Sequence, residues 1–217
     1  MIIFKIKIKD FEKGISLVEI VVAIFIIALF SVIVVANFPK IKKQFALSRA
    51  VYRVAQDIRK AEDLGLSGIQ TIEGVEAKGY GFFIDQLVDN KKYLIYADTN
   101  DPADSKYTNY LDFPDDYDYI IEEINLADME QGVFIERMFV IFSNELGLEV
   151  EKDIYYLSIN FSPPNPDITI TTDAKNPFFG EGVLSIIKKV GIVLSLDTDL
   201  YSKKTIYINS SGLIEIE

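Results

Sequence analysis

The chain has 217 residues, a formal net charge of −11 at pH 7, and neither His nor Cys. This length accommodates one ordinary domain with appendages. Because His and Cys are missing, the chain has no Ser-His-Asp or Cys-His catalytic arrangement and none of the usual zinc sites, so an enzyme is the least expected class. The strongly acidic composition also argues against contact with phosphate backbones, and no nucleic-acid partner is expected.

The N-terminal part of the chain predicts a leader followed by a transmembrane helix. Residues 1–14 carry four Lys against two acidic side chains and end in Gly14. An apolar run follows, with no charge between Ile20 and Ala36. As a helix, residues 15–36 would be roughly 33 Å long, enough to cross a hydrocarbon core of about 30 Å. We place the membrane helix at 15–39 and expect a kink near Pro39, which cannot donate the helical hydrogen bond.

Glu19 stands inside the front of this apolar run. An ionised carboxylate at the bilayer centre costs about 2.5–3.5 kcal/mol on insertion scales, so such a residue is by default a candidate functional residue. The alternative is a charge tolerated near the interface by snorkelling. An ordinary signal anchor explains the apolar run but gives no reason for Glu19.

The start of the apolar run resembles the cleavage and methylation motif of type IV prepilins and type II secretion pseudopilins. The residues that carry the resemblance are Lys13, Gly14, Ile15, Ser16, Leu17, Val18 and Glu19. It implies that a prepilin peptidase cuts between Gly14 and Ile15 and that the new N-terminus at Ile15 is N-methylated. It also implies that Glu19 serves assembly by pairing with the α-amino group of the neighbouring subunit. Two departures are Ile15, where Phe is commonest, and Ala36, where a proline is often found.

The same resemblance implies the location and the partners. The leader would lie in the cytoplasm and a single helix would cross the inner membrane. The protein would then enter a periplasmic or cell-surface filament. The implied partners are other pilin or pseudopilin subunits, the prepilin peptidase, the inner-membrane assembly platform and membrane lipid.

The membrane helix is predicted to continue into an amphipathic helix over residues 40–67. Apolar residues recur at spacings of three and four, and Gly65 closes the series, so one face should pack on the following domain. The face consists of Leu47, Val51, Val54, Ile58, Ala61 and Gly65. A cluster of basic residues accompanies this helix, and proximity to anionic head groups or pairing with acidic neighbours is preferred to DNA binding. The cluster consists of Lys40, Lys42, Lys43, Arg49, Arg53, Arg59 and Lys60.

Residues 68–217 predict a β-rich head. Patterns of period two predict strands over 79–85, 92–98, 119–126, 132–142, 154–161, 168–171, 183–187, 192–196, 205–209 and 213–217. Residues 133–138 are also compatible with a helix. The strand at 154–161, the Pro-Pro-Asn-Pro break after it and the final hairpin resemble the heads of H-type minor pseudopilins. The predicted fold class is therefore α+β and pilin-like, with a long N-terminal helix packed on an antiparallel head.

An acidic loop in the head offers oxygen ligands at Asp98, Asn100, Asp101 and Asp104. Calcium takes about six to eight oxygen ligands, so this loop is a candidate calcium site. It lacks the Gly and Glu of an EF-hand loop, and a solvated turn rich in Asp and Asn is preferred. No other cofactor is expected.

Adjacent aromatic residues are a further candidate surface. Phe82 with Phe83, Tyr155 with Tyr156, and Phe178 with Phe179 could line a carbohydrate or partner surface, although alternation puts half of each pair in the core.

The expected function is structural. The chain is interpreted as a filament subunit of a type IV pilus or a secretion pseudopilus, and the elaborate head slightly favours a minor subunit. The alternative is a membrane-anchored module that never polymerises and binds a ligand or calcium outside the membrane.

Overall fold

The structure is a computed structural model that describes residues 15–67, 76–99, 106–108, 117–144, 147–163, 167–175 and 185–217. The helices are Leu17–Ser67 (α1) and Leu126–Met129 (α2). The strands are Gly79–Asp85 (β1), Lys92–Asp98 (β2), Tyr119–Asn125 (β3), Val133–Asn144 (β4), Glu149–Ile154 (β5), Tyr156–Ser162 (β6), Asp167–Thr172 (β7), Ser185–Leu196 (β8), Asp199–Asn209 (β9) and Ile214–Ile216 (β10). One long N-terminal helix and two antiparallel sheets confirm the α+β class.

The chain forms two compact units, Met1–Lys42 and Lys43–Glu217. The described part of the first unit is the N-terminal part of α1, with Pro39 inside the helix. Every side chain from Ile15 to Lys42 is exposed. Within the described residues, α1 is the one helix long and apolar enough to cross a membrane.

In the second unit, the predicted apolar face of α1 lies in the core. All six of its residues are buried, and the same core cluster contains side chains from both sheets. Gly65 lies inside α1 and allows a close approach to β6. A Cβ atom at this position would stand 2.5 Å from the carbonyl oxygen of Phe161. The helix ends at Ser67, within the predicted limit of Gly65 to Gly68.

The first sheet has the strand order β3-β2-β1-β6-β7. β1 and β2 form a hairpin with the predicted bounds, in which Gly79 pairs with Asp98 and Phe83 with Leu94. Asp85 closes the turn by accepting hydrogen bonds from the amides of Leu87 and Val88.

The second sheet has the order β10-β9-β8-β4-β5. Two predictions fail here. In the described part of the chain, the two strands expected at 183–187 and 192–196 are one continuous strand, β8. The residues before Ser185 lie outside the described part. The gap expected between these strands does not occur: Gly191 lies inside β8, where the ring of Phe139 on β4 covers it. The alternative helix at 133–138 is also wrong, since these residues lie in β4.

The range predicted as one strand, 154–161, contains the end of β5 and most of β6, which lie in different sheets. β5 pairs with β4 in the second sheet, and β6 pairs with β1 and β7 in the first. Tyr155 lies between them and is exposed, although alternation placed it with buried Leu157. Ser158 and Asn160, expected on the outer side, are fully buried because Tyr96 and Asp98 cover that face and hydrogen-bond to them.

The turn of the C-terminal hairpin was predicted correctly. Asn209 accepts hydrogen bonds from the amides of Ser211 and Leu213 through its side chain. Gly212 has φ +84, a left-handed conformation that favours glycine.

Candidate functional site

Ser16 caps the start of α1. The backbone amide of Glu19 donates hydrogen bonds to the carbonyl oxygen of Ser16 at 3.0 Å and to its Oγ at 3.2 Å. Ser three residues before Glu is the spacing of a capping box, and a negative charge in the first turn also favours the helix dipole. The first turn thus offers the Glu19 carboxylate a local role beside assembly, and its role in assembly stays a prediction. The Ser-x-x-Glu spacing contains the signal for this local role.

The cleavage and assembly residues lie at the beginning of the described chain. Ile15 and Glu19 are both exposed. Gly14 lies outside the described residues, so the cleavage prediction stays a prediction. The Glu19 carboxylate is exposed, so a group from outside the chain can reach it. Its neighbours along α1 are exposed apolar side chains.

Those apolar side chains form a continuous exposed surface around the N-terminal part of α1. They include Val18, Ile20, Val21, Val22, Ile24, Phe25, Ile26, Ile27, Leu29, Phe30, Val32, Ile33, Val34, Val35 and Phe38. A surface this large far exceeds the apolar patches of soluble monomers and marks contact with lipid or with another protein.

The predicted calcium loop is only partly described. Asp98 is buried, and its Oδ2 accepts a hydrogen bond from Asn160 at 3.2 Å. Asn100, Asp101 and Asp104 lie outside the described residues. Within the part of the chain that is described, no three His, Cys, Asp or Glu side chains form a group that could hold a metal ion. Calcium binding by this loop stays a prediction.

Asp118 holds the two described ends of this loop region together, a role that the sequence did not reveal. Its Oδ1 accepts from the amide of Thr99 at 3.0 Å, and its Oδ2 accepts from the amide of Thr108 at 2.7 Å. The carboxylate is buried. In the sequence, Asp118 is one of several acidic loop residues, and period-two alternation does not distinguish it from the others. Its contacts could therefore not be predicted.

Basic residues of α1 pair with the head. The Lys43 ammonium donates to Thr198 Oγ1 at 2.8 Å, and Arg49 makes two hydrogen bonds to Glu130 at 2.5 and 2.9 Å. Lys60 pairs with Glu122. Pairing with acidic neighbours, which was preferred to DNA binding, is thus confirmed for Arg49 and Lys60.

Asp57 and Tyr93 form a buried polar contact between α1 and β2. Asp57 is only 2% exposed; its Oδ2 accepts from the hydroxyl of Tyr93 at 2.7 Å and from Nε of Arg53 at 3.1 Å. Burial raises the pKa of Tyr93 far above its ordinary value of 10.0, and the hydrogen bond to Asp57 raises it further. The contact ties the helix to the sheet through one carboxylate oxygen, which accepts from both a hydroxyl and a guanidinium.

An alkaline titration should detect the raised pKa of the buried tyrosines. Burial also raises the pKa of Tyr80 and Tyr96. Because the folded-state pKa is raised, the stability contributed by each group is fully present below pH 10 and is lost as the pH rises above that value. In an absorbance titration at tyrosinate wavelengths, we expect fewer than the twelve tyrosines to ionise in the folded protein at pH 11. Urea should release the remainder, and full ionisation without unfolding would contradict this.

A groove of about 510 Å³ lies on the first sheet. Phe83 forms its aromatic wall with Tyr107 and Tyr156, at centroid distances of 4.5 and 5.1 Å. Phe82 and Phe83 are both buried, although alternation predicts only one member of that pair in the core. Phe178 and Phe179 lie outside the described residues. A groove of this size is within the range of small-molecule sites.

No protein-family model, curated protein or solved structure matches the chain. Within the first unit, the candidate site consists of the capped start of α1 and the exposed apolar surface behind it.

Proposed function

We propose that the chain is a structural filament subunit of the pilin and pseudopilin class. The observation that carries the proposal is the division of α1 into two chemically different parts. Between Ile15 and Phe38 the apolar side chains are exposed, whereas the apolar face from Ala46 to Gly65 is buried in the head. A helix of this kind holds a folded head at one end and needs an apolar partner at the other.

In this proposal, two partners cover the exposed apolar part of α1 one after the other. Burial of apolar surface contributes about 25 cal/mol per Å², so a helix of this composition is stable only in lipid or against other apolar helices. In the proposed cycle, lipid surrounds it first and the equivalent helices of other subunits replace lipid during assembly. The prepilin peptidase and the inner-membrane assembly platform act between these two states.

Glu19 is proposed to set the register of assembly. An unpaired carboxylate in apolar surroundings is unfavourable, and a cationic partner removes that penalty. Cleavage after Gly14 would create such a cation, the α-amino group at Ile15. In the filament, Glu19 of one subunit would then pair with Ile15 of the next.

Mass spectrometry of filaments sheared from the native cells tests the proposal. We expect an N-terminal peptide that begins with N-methylated Ile15. The abundance of the subunit in the same sample then distinguishes a major subunit from the slightly favoured minor one. Protein that stays in the membrane fraction with residues 1–14 attached would overturn the proposal.

The Gly14→Leu variant should remain uncleaved. A small residue lets the scissile backbone enter the peptidase site, and Leu adds a side chain at that point. We expect the full-length chain to accumulate in the membrane while the unaltered chain is processed, as read by a mass difference of residues 1–14. Normal mature protein from this variant would refute cleavage after Gly14.

A membrane-anchored binding module is the second candidate, and the aromatic groove around Phe83 favours it. Such a module needs neither a cleaved leader nor a methylated Ile15. The same mass spectrometry therefore separates the two functions.

A further inference from the structure

The groove around Phe83 lies on the face of the first sheet that is turned away from α1. Phe82 and Ile84, the neighbours of Phe83 on β1, belong to the core cluster that contains the buried face of α1. Successive side chains of a strand point to opposite faces, so Phe83 lies on the other side. Leu94 on β2 pairs with Phe83, and Glu123 on β3 pairs with Leu94, which continues the row across the sheet. The groove therefore lies entirely within the second unit.

The aromatic wall of the groove is fixed by hydrogen bonds. The amide of Tyr107 donates to Ser158 Oγ at 3.2 Å, and its carbonyl oxygen accepts from the hydroxyl of Tyr156 at 3.3 Å. The ring of Tyr107 also lies 5.3 Å from that of Tyr96, measured between centroids. The face of an aromatic ring is negative and attracts a cation within about 6 Å. Because the wall is already ordered, a ligand loses less free energy in ordering it.

The charged side chains of the groove are mainly acidic. Asp85, Asp89 and Glu123 line it against one cation, Lys92. Glu123 already accepts a hydrogen bond from the Lys92 ammonium at 2.8 Å. Among the described residues, neither Asp85 nor Asp89 forms an ion pair. Each uses one oxygen to accept from backbone amides of the β1–β2 turn, which holds the carboxylate in place.

The Lys92 ammonium shows the sign of the potential in this groove. Its pKa is raised above its ordinary value, first by the hydrogen bond and charge of Glu123 and then by the charges of Asp89 and Asp128. Burial acts in the opposite direction, and the carboxylates outweigh it. A cationic ligand is therefore favoured here and an anionic one is disfavoured.

Exposed apolar side chains surround the acidic end of the groove. Val88 and Ile120 line it, and Leu87 precedes Val88 in the same turn; all three are exposed. Single exposed apolar side chains are ordinary, but a group around one groove indicates a contact surface. A small free cation would leave them uncovered, whereas a protein segment with apolar residues beside its cation would cover them. Arg is also enriched in protein interfaces.

We propose that this groove is a docking site for a segment of a partner protein that presents an arginine or lysine side chain between apolar residues. The cation lies against the aromatic wall and faces Asp85 and Asp89, and the flanking apolar residues cover Val88 and Ile120. The proposal concerns the head alone and applies equally to a filament subunit and to an anchored module. Its test is therefore separate from the mass spectrometry that distinguishes those two functions.

Three probes test the proposal on the full chain in non-ionic detergent, with ¹³C-labelled Phe and Tyr rings observed by NMR. They are acetyl-Leu-Arg-Leu amide, the same peptide with neutral citrulline in place of Arg, and acetyl-arginine amide. We expect the arginine tripeptide to shift the ring signals of Phe83, Tyr107 and Tyr156. The citrulline peptide should bind at least about fivefold more weakly, because it keeps the shape and loses the charge.

Two variants and a matched control locate the binding. Asp89→Asn removes one charge and keeps an oxygen for the turn, and Val88→Lys adds a cation at the exposed rim. Both should raise the Kd of the arginine tripeptide at least about threefold. Glu215→Gln removes an exposed charge from β10 in the second sheet and should leave the Kd unchanged. Unshifted signals of the buried Tyr80 ring would show that each variant is folded.

Four results would overturn the proposal. Equal binding of the arginine and citrulline peptides would exclude recognition of the cation. Equal binding of acetyl-arginine amide and the tripeptide would exclude docking of a protein segment. An equal rise in Kd for Glu215→Gln and Asp89→Asn would show general attraction to an acidic protein and no site in the groove. Ring signals that stay in place at millimolar peptide would exclude binding altogether.

Discussion

The Glu19→Leu variant is expected to be cleaved after Gly14 like the unaltered chain and to fail in assembly. Breaking a buried ion pair costs about 3–5 kcal/mol because one charge is left without a partner. Since about 1.4 kcal/mol corresponds to a factor of ten, incorporation into filaments should fall by a factor on the order of 10² to 4 × 10³. Mass spectrometry of the membrane fraction reports cleavage, and the amount of variant in sheared filaments reports assembly.

The cap at Ser16 requires a matched control, because Glu19 also belongs to the first turn of α1. Ser16→Ala removes the accepting oxygen and costs about 0.5–2 kcal/mol of helix stability, while the carboxylate remains. Glu19→Gln retains the shape of the side chain without its charge. We expect Glu19→Gln to assemble poorly and Ser16→Ala to assemble nearly normally. Equal failure of both variants would show that Glu19 acts through the helix start and not through an ion pair.

The Ile58→Ala variant is expected to lose about 2–5 kcal/mol of the free energy of unfolding of the head. Ile58 is fully buried in the cluster where α1 meets both sheets, at 0% exposure. Truncation removes the transfer free energy of three carbon atoms and leaves a cavity that the surrounding strands can fill only in part. Urea denaturation in mild detergent, followed by the near-ultraviolet signal of the tyrosines, measures the loss.

Tyr52→Ala on the same helix is the control for this variant. Tyr52 is 58% exposed, and surface substitutions usually change stability by less than about 0.5 kcal/mol. If the two variants lost equal stability, the head would not depend on the buried face of α1. A large loss for Ile58→Ala with a small one for Tyr52→Ala would confirm that face as the main contact of the helix.

Periodicity predicted the parts of the fold that have one clear inner face. The spacing of Leu47, Val51 and Ile58 identified the buried face of α1. The hairpin of β1 and β2 has the predicted bounds because turn residues separate two apolar stretches. In both cases local sequence and tertiary packing favour the same structure.

The second sheet was harder to predict because tertiary contacts override its local pattern. β5 is an edge strand with charged side chains, and Glu151 and Asp153 pair with Arg137 of β4. Charged edges are common because they discourage pairing with other chains, but they lack the alternation that predicts a strand. Residues 188–191 were expected to separate two strands, but they lie inside β8, where the ring of Phe139 across the sheet covers Gly191.

The candidate site shows the same division. The resemblance identified Glu19, and its capping contact with Ser16 was also present in the local spacing. In contrast, the burial of Asp57 and the exposure of Tyr201 depend on strands far away in sequence. Alternation alone cannot distinguish a buried tyrosine from an exposed one in a strand.

The interleaved order of the strands has a consequence for folding. β1 to β3 belong to the first sheet, β4 and β5 to the second, β6 and β7 to the first again, and β8 to β10 to the second. The contact between Lys43 and Thr198 closes a loop of 155 residues. Folds dominated by such distant contacts have high contact order and form on the order of milliseconds to seconds. The buried face of α1 is synthesised early, but the strands that it packs against include β8 to β10, which are synthesised later. The head is therefore expected to fold as one cooperative unit only after those strands have been made.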